Sequence, residues 1–180
     1  MTAPLELLLA FANTLDVEEG TDQLGDREAA ATWLTGSGLG GPVDREGWAR
    51  LREVRAALRD LALANAVDPS AEVCPDVSDA AALLDADPAL LRVAVAADGS
   101  AALVPASAGV DGAIGSLLAA VVAAQADGTW GRLKLCPADD CRWAYIDTSK
   151  NTSRTWCSMQ VCGSRAKARA YRERGRQAAH

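Results

Sequence analysis

Apolar residues recur at helical spacing through most of the first 129 residues. Leu5, Leu8, Leu9, Ala12 and Leu15 follow Pro4, which suits the first turn of a helix. Asp26 is placed to cap a short helix carrying Ala30, Trp33 and Leu34, which stops at the glycines between 36 and 41. Asp44 is placed to cap the clearest helix, with Trp48, Leu51, Leu58, Leu61 and Asn65 near one face. Arg45, Arg52, Arg55 and Arg59 fall off that face, and some are spaced to pair with Glu46, Glu53 and Asp60. After Asp68-Pro69 come a loop and a weak helix around 80–85. Apolar runs at 91–96 and 101–105 flank Ala97-Asp98-Gly99-Ser100, the turn chemistry of a β-hairpin. Ile114, Leu117, Leu118, Val121 and Val122 then resume a helix over 112–124, and Gly128 ends it.

From Trp130 the pattern changes. Short strands are predicted at 132–135 and 142–147, a polar turn at 148–155 and a helix at 166–174. The fold class is α+β: a mostly helical body, residues 1–129, with one β-hairpin, then a small module, residues 130–180, of β-hairpin and helix. Five of the eight aromatics lie in the module, and Trp143 and Trp156 are expected in its core, because small domains fill thin cores with large rings.

The module carries the chemistry. Cys136, Cys141, Cys157 and Cys162 form the pattern C-x4-C-x15-C-x4-C. Two matched pairs, each offering two thiolates from one tight turn, are what a tetrahedral zinc site requires. One Zn2+ with four protein ligands has no open position, so the site is structural. Buried thiols, a disulfide or redox pair, and an iron–sulfur cluster are the alternatives. Gly163 is placed to let backbone N–H groups turn toward sulfur. Cys74 stands apart as a packed or surface thiol, and His180, the single histidine, ends the chain.

Behind the last cysteine come Arg165, Lys167, Arg169, Arg172, Arg174 and Arg176. Steps of 4, 3 and 4 place Arg165, Arg169, Arg172 and Arg176 along one helical face, spaced to contact phosphates. A solvated helix whose last cations suit its dipole is the plainer alternative. Charge sharpens the contrast. Residues 1–129 hold 7 Arg against 20 Asp or Glu, and residues 130–180 hold 11 Lys or Arg against 4 Asp or Glu. A body of −13 therefore precedes a tail of +7, for −6 overall. That asymmetry points to a polyanion-binding end, DNA first and RNA as well, with internal docking of tail on body as a further expectation.

The N-terminal apolar run lacks a basic flank and contains Glu6, and no apolar run reaches membrane-spanning length. A cytoplasmic protein without a membrane partner is expected, and a reducing compartment favours metal over disulfides. Lysine supplies only 3 of 18 basic residues, the usage of a GC-rich bacterial genome. No nucleophile motif, phosphate loop or catalytic histidine is present, which points away from an enzyme.

These residues resemble a known family. Cys136-Pro-Ala-Asp-Asp-Cys141-Arg-Trp143, Asp147-Thr-Ser149-Lys-Asn151, Arg154-Thr-Trp156-Cys157-Ser158-Met159 and Cys162-Gly163-Ser164-Arg165-Ala-Lys167 resemble the CGNR zinc finger. Phe11-Ala-Asn13-Thr14-Leu15, the Trp33-Leu34 helix and Leu63-Ala64-Asn65 resemble its usual companion, the ABATE domain. The resemblance implies a bacterial, candidate stress-induced transcription regulator, with the zinc finger on DNA and the acidic body as sensor or oligomerisation domain, as in a homodimer. Ser164 stands where the family's name motif has Asn. A zinc-stabilised protein-interaction module is the rival. Asn13 and Asn65, polar residues on apolar faces, are either hydrogen-bonded core groups or the lining of a small-molecule pocket.

Overall fold

The computed structural model describes residues 3–67, 76–85 and 90–177. The expectations for the Asp68-Pro69 loop, Cys74 and His180 fall outside these residues. The body starts with α1 (Ala3–Ala12) and a two-residue antiparallel pair, β1 (Leu15–Asp16) and β2 (Thr21–Asp22). Then come α2 (Arg27–Gly36), α3 (Arg45–Ala64) and α4 (Ser78–Asp85). The hairpin β3 (Leu91–Val95) and β4 (Ala101–Pro105) leads into α5 (Gly109–Ala126). The module contributes β5 (Leu133–Leu135), β6 (Ala144–Ile146) and α6 (Ser164–Gln177).

Local chemistry sets the helix starts as expected. Asp26 accepts from the Ala29 N–H at 2.9 Å, and Asp44 accepts from the Gly47 N–H at 2.8 Å. Two boundaries differ. Leu15 leaves the first helix, because Thr14 turns its hydroxyl onto the Phe11 carbonyl at 2.7 Å and the chain then enters β1. The body thus holds a second, very short hairpin. α6 runs through Gly175, since one helical glycine costs only about 1 kcal/mol and the flanking residues are good helix formers.

Leu5, Leu8, Phe11, Leu34, Leu51, Leu58, Ile114 and Leu117 build one buried core from α1, α2, α3 and α5. Among the described residues α5 alone has the length and apolar content of a membrane span. Ala113, Ile114, Leu117, Ala120 and Ala124 on it are buried in this core. The module's hairpin joins the same core. Leu133, Leu135 and Ala144 belong to it, while Lys134 and Tyr145, paired across the register, take the opposite face. Body and module are therefore stitched through one hairpin, and the second small core, around the cysteines, lies on its far side.

Candidate metal centre and basic helix

Each cysteine is placed by a tight local structure. Cys136 follows β5, and its N–H reaches the Trp143 carbonyl at 2.9 Å. The first loop closes when the Cys141 and Arg142 N–H groups both reach the Ala138 carbonyl at 3.0 Å. Arg142 then takes a left-handed φ of 52°, which sends the chain into β6. The second pair hangs on a buried network. Asp147 is fully buried and accepts from Lys134 Nζ (3.0 Å), the Ser149 N–H (2.9 Å) and the Arg154 N–H (2.8 Å). Lys134 Nζ also donates to the Thr152 and Arg154 carbonyls, at 2.7 and 2.9 Å. Burial alone would raise the Asp147 pKa, but hydrogen bonds from Ser149, Lys134 and the Arg154 N–H hold it well below the usual carboxylate range. Arg154, above the Tyr145 ring, donates to the carbonyls of Trp156 and Cys157 and so fixes the third ligand. Cys162 sits in a π-turn, Met159–Gly163, capped by Ser158.

The four Sγ atoms lie within 4.8 Å of one another, with Cys141–Cys157 at 3.5 Å and Cys157–Cys162 at 3.6 Å. A disulfide requires about 2.05 Å, so none is formed. Four thiolates at about 2.3 Å from one zinc are separated by about 3.8 Å, and the observed spacings match that tetrahedron. An iron–sulfur cluster spreads its thiolates over several irons, which this compact set does not. Electrostatics also ask for a cation. Burial pushes the Cys157 thiol up and the Cys162 thiol up to about 11. Cys136 is held low, its burial outweighed by the N–H groups of Cys157 and Ala138 and by neighbouring thiols. Four coexisting thiolates need a metal to neutralise them. One structural zinc, held by Cys136, Cys141, Cys157 and Cys162, fits this site.

Several expectations change. Gly163 does not aim its N–H at sulfur but donates to the Ser158 carbonyl at 3.0 Å. A Cβ there would come within 2.7 Å of Met159 Sδ, the end of a half-exposed side chain that would have to move aside. Ser164 donates to the Met159 carbonyl at 3.2 Å, bracing the joint between π-turn and α6. Trp156 packs beside the cysteines, but Trp143 is 38% exposed. It precedes β6 and lines a shallow pocket with Cys141, Cys157, Val161 and Cys162.

Asn13 and Asn65 serve the seam. Asn13 pairs with both backbone groups of Ala144, donating at 3.0 Å and accepting at 2.8 Å, as a neighbouring strand would. Asn65 Nδ2 donates to the Trp130 and Leu133 carbonyls at 3.1 and 3.0 Å. In place of lining a pocket, both amides tie the body to the module. Arg55 and Arg59 also turn inward. Arg55 makes a two-pronged pair with Asp22, at 2.5 and 2.9 Å, and Arg59 caps carbonyls of Ala12, Leu15 and Arg142. Helical spacing placed them off the apolar face, and only the packing of β1 and the metal loop over α3 shows them buried.

The basic residues all project from α6, which starts at the metal site. Every side chain between Ser164 and Arg176 is exposed except Ala166 and Ala170, which are half-buried. The predicted stripe divides. Arg165 pairs with Glu18 of the body at 3.1 Å, and Arg165 and Arg169 each approach Asp140 at 3.7 Å. Lys167, Arg172, Arg174 and Arg176 have no ion pair among the described residues. Tyr171 is 74% exposed on the same helix.

A family model for the CGNR zinc finger matches residues 132–175. A second, for the ABATE family, described as "Putative stress-induced transcription regulator", matches residues 5–128. No curated protein matches the chain. The cysteine tetrahedron and the seam residues fall inside these two matches, and the chain belongs to the ABATE family, with a CGNR zinc finger at its C-terminal end.

Proposed function

We propose that the protein is a cytoplasmic bacterial transcription regulator that binds DNA through α6. The observation that carries this reading is a helix exposed along its length except at the half-buried Ala166 and Ala170, based on a metal-braced turn. A helix that buries only two alanines gains little stability from packing. Lys167, Arg172, Arg174 and Arg176 have no ion pair among the described residues and are spaced for phosphates along a groove. Tyr171 among them offers a ring for contact with a base or sugar. The zinc's role is to hold the turn that aims this helix. With four protein thiolates around it, the metal has no position for substrate, so the site supports binding and not catalysis. The acidic body repels DNA elsewhere and confines contact to the basic end.

The test is selection of bound sequences from random duplex DNA by the zinc-loaded full chain, with a matched RNA pool. Enrichment of a duplex motif is expected. Retention of neither pool would contradict the reading, and retention of RNA alone would move it to RNA.

A further inference from the structure

Arg59 is 7% exposed and has no carboxylate in contact with it. Its Nη1 donates to the Ala12 and Leu15 carbonyls at 2.6 and 3.2 Å, and its Nη2 to the Arg142 carbonyl at 2.9 Å. A guanidinium has five N–H donors, so two are left over. Arg55, also buried, shows the contrast: Asp22 neutralises it. A buried cation with spare donors and only neutral carbonyls for company is costly to fold around. Burial first, then Arg55 and Arg142, hold the Arg59 pKa below the ordinary arginine value, against weaker opposition from Asp60 and Asp22. This occurs inside a body whose net charge is −13.

Arg59 lines a groove of about 710 Å³ between α3 and the metal loop. Trp48, Arg52, Leu63, Leu135 and Arg142 line it too, and the exposed Glu53 and Asp60 border it. Its surface is more apolar than polar. The Arg52 guanidinium lies 5.0 Å from the Trp48 ring centre. The groove therefore offers a flat aromatic wall with one exposed cation on it, and a second cation at the buried side. A bare phosphate would waste the apolar wall, and an aliphatic cation would meet the wrong charge. The volume is that of an ordinary small-molecule site.

We propose that this groove binds a small aromatic carboxylate, its carboxylate toward Arg59 and Arg52 and its ring against Trp48 and Leu63. The site lies across the seam. The Arg142 carbonyl that Arg59 holds follows the zinc ligand Cys141 directly, so a bound anion acts on the residue that joins body to metal loop. The inference stands on the groove alone, and its failure would leave the nucleic-acid reading untouched.

The test is calorimetric titration of the zinc-loaded full chain with benzoate and indole-3-acetate, without nucleic acid. Benzamide and inorganic phosphate serve as controls. Saturable binding of at least one aromatic carboxylate, one per chain, is expected, with both controls at least tenfold weaker. Ala56→Trp fills the groove from an exposed helical position, and Arg52→Gln removes the exposed cation. Both should keep full zinc content and helicity. The first should abolish binding, and the second should weaken it by about tenfold, the loss of one charge-assisted contact. No binding by either carboxylate, equal binding by phosphate or benzamide, or binding that survives Ala56→Trp would each overturn the proposal.

Discussion

Asp147 and Lys134 brace the loop that leads to the second cysteine pair. The buried carboxylate gathers three donors from β5 and from the loop leading to Cys157. Asp147→Asn removes the charge that Lys134 faces while keeping the shape. The expected loss is about 3 kcal/mol in urea unfolding, as for a buried pair broken on one side. Asp22 gives a pH signature. Its hydrogen bond to Arg55 holds its pKa below the ordinary carboxylate value, against a partial desolvation. The unfolded chain therefore takes up the proton first as pH falls. Stability from this pair is complete above about pH 4 and is lost on going lower. Asp22→Asn should lower Tm at pH 7 and flatten its fall below about pH 4, with a cost of about 2 kcal/mol because Asp22 keeps some solvent. An unchanged acid limb would contradict this assignment. At this scale the ligands were legible, since spacing alone brings four thiols together. Lys134, Arg55, Arg59 and the seam roles of Asn13 and Asn65 were not. A charge off the apolar face of one helix says nothing about what other elements fold over it.

At the scale of elements, metal and core divide the labour. β5 and β6 place Leu133, Leu135 and Ala144 in the body's core, away from the cysteine cluster. The loop from 148 onward, the π-turn and the base of α6 lean on the cysteine cluster. Cys141→Ser should therefore release zinc and open residues 148–177 to protease, while cleavage within 130–147 and the body stays slow. Metal analysis with peptide mapping decides it. A protected 148–177 in zinc-free protein would show that the metal is dispensable. Helix caps and the central hairpin were readable because Asp26, Asp44 and Asp98-Gly99 act locally. The β1–β2 pair was not, since two residues a side carry no periodicity. The end of α6 was misread because glycine is a weak stop in an otherwise strong helix.

The whole molecule separates its charges, with an acidic body and a basic arm joined by an apolar hairpin. Among the described residues, the ion pairing of the arm with the body is one contact, Arg165 to Glu18, between half-exposed side chains. Solvent screens such a pair, so it cannot lock the arm. Glu18→Gln should raise affinity for duplex DNA no more than several-fold. A much larger gain would mean that the body truly restrains the helix. The shared core also means that residues 130–180 alone, even with zinc, would expose Leu133, Leu135 and Ala144. That fragment should show no cooperative melting, whereas the full chain should.

The most direct measurement is the salt dependence of duplex DNA binding by the zinc-loaded full chain, compared with Arg172→Ala plus Arg176→Ala. These two arginines are exposed on the outer turns and have no ion pair among the described residues, so their loss spares stability and zinc content. Binding by the unaltered chain should fall steeply with salt. The double variant should bind more weakly, with a log–log slope shallower by about two. Equal affinity and equal slope in the two proteins would contradict the claim that α6 is the nucleic-acid arm.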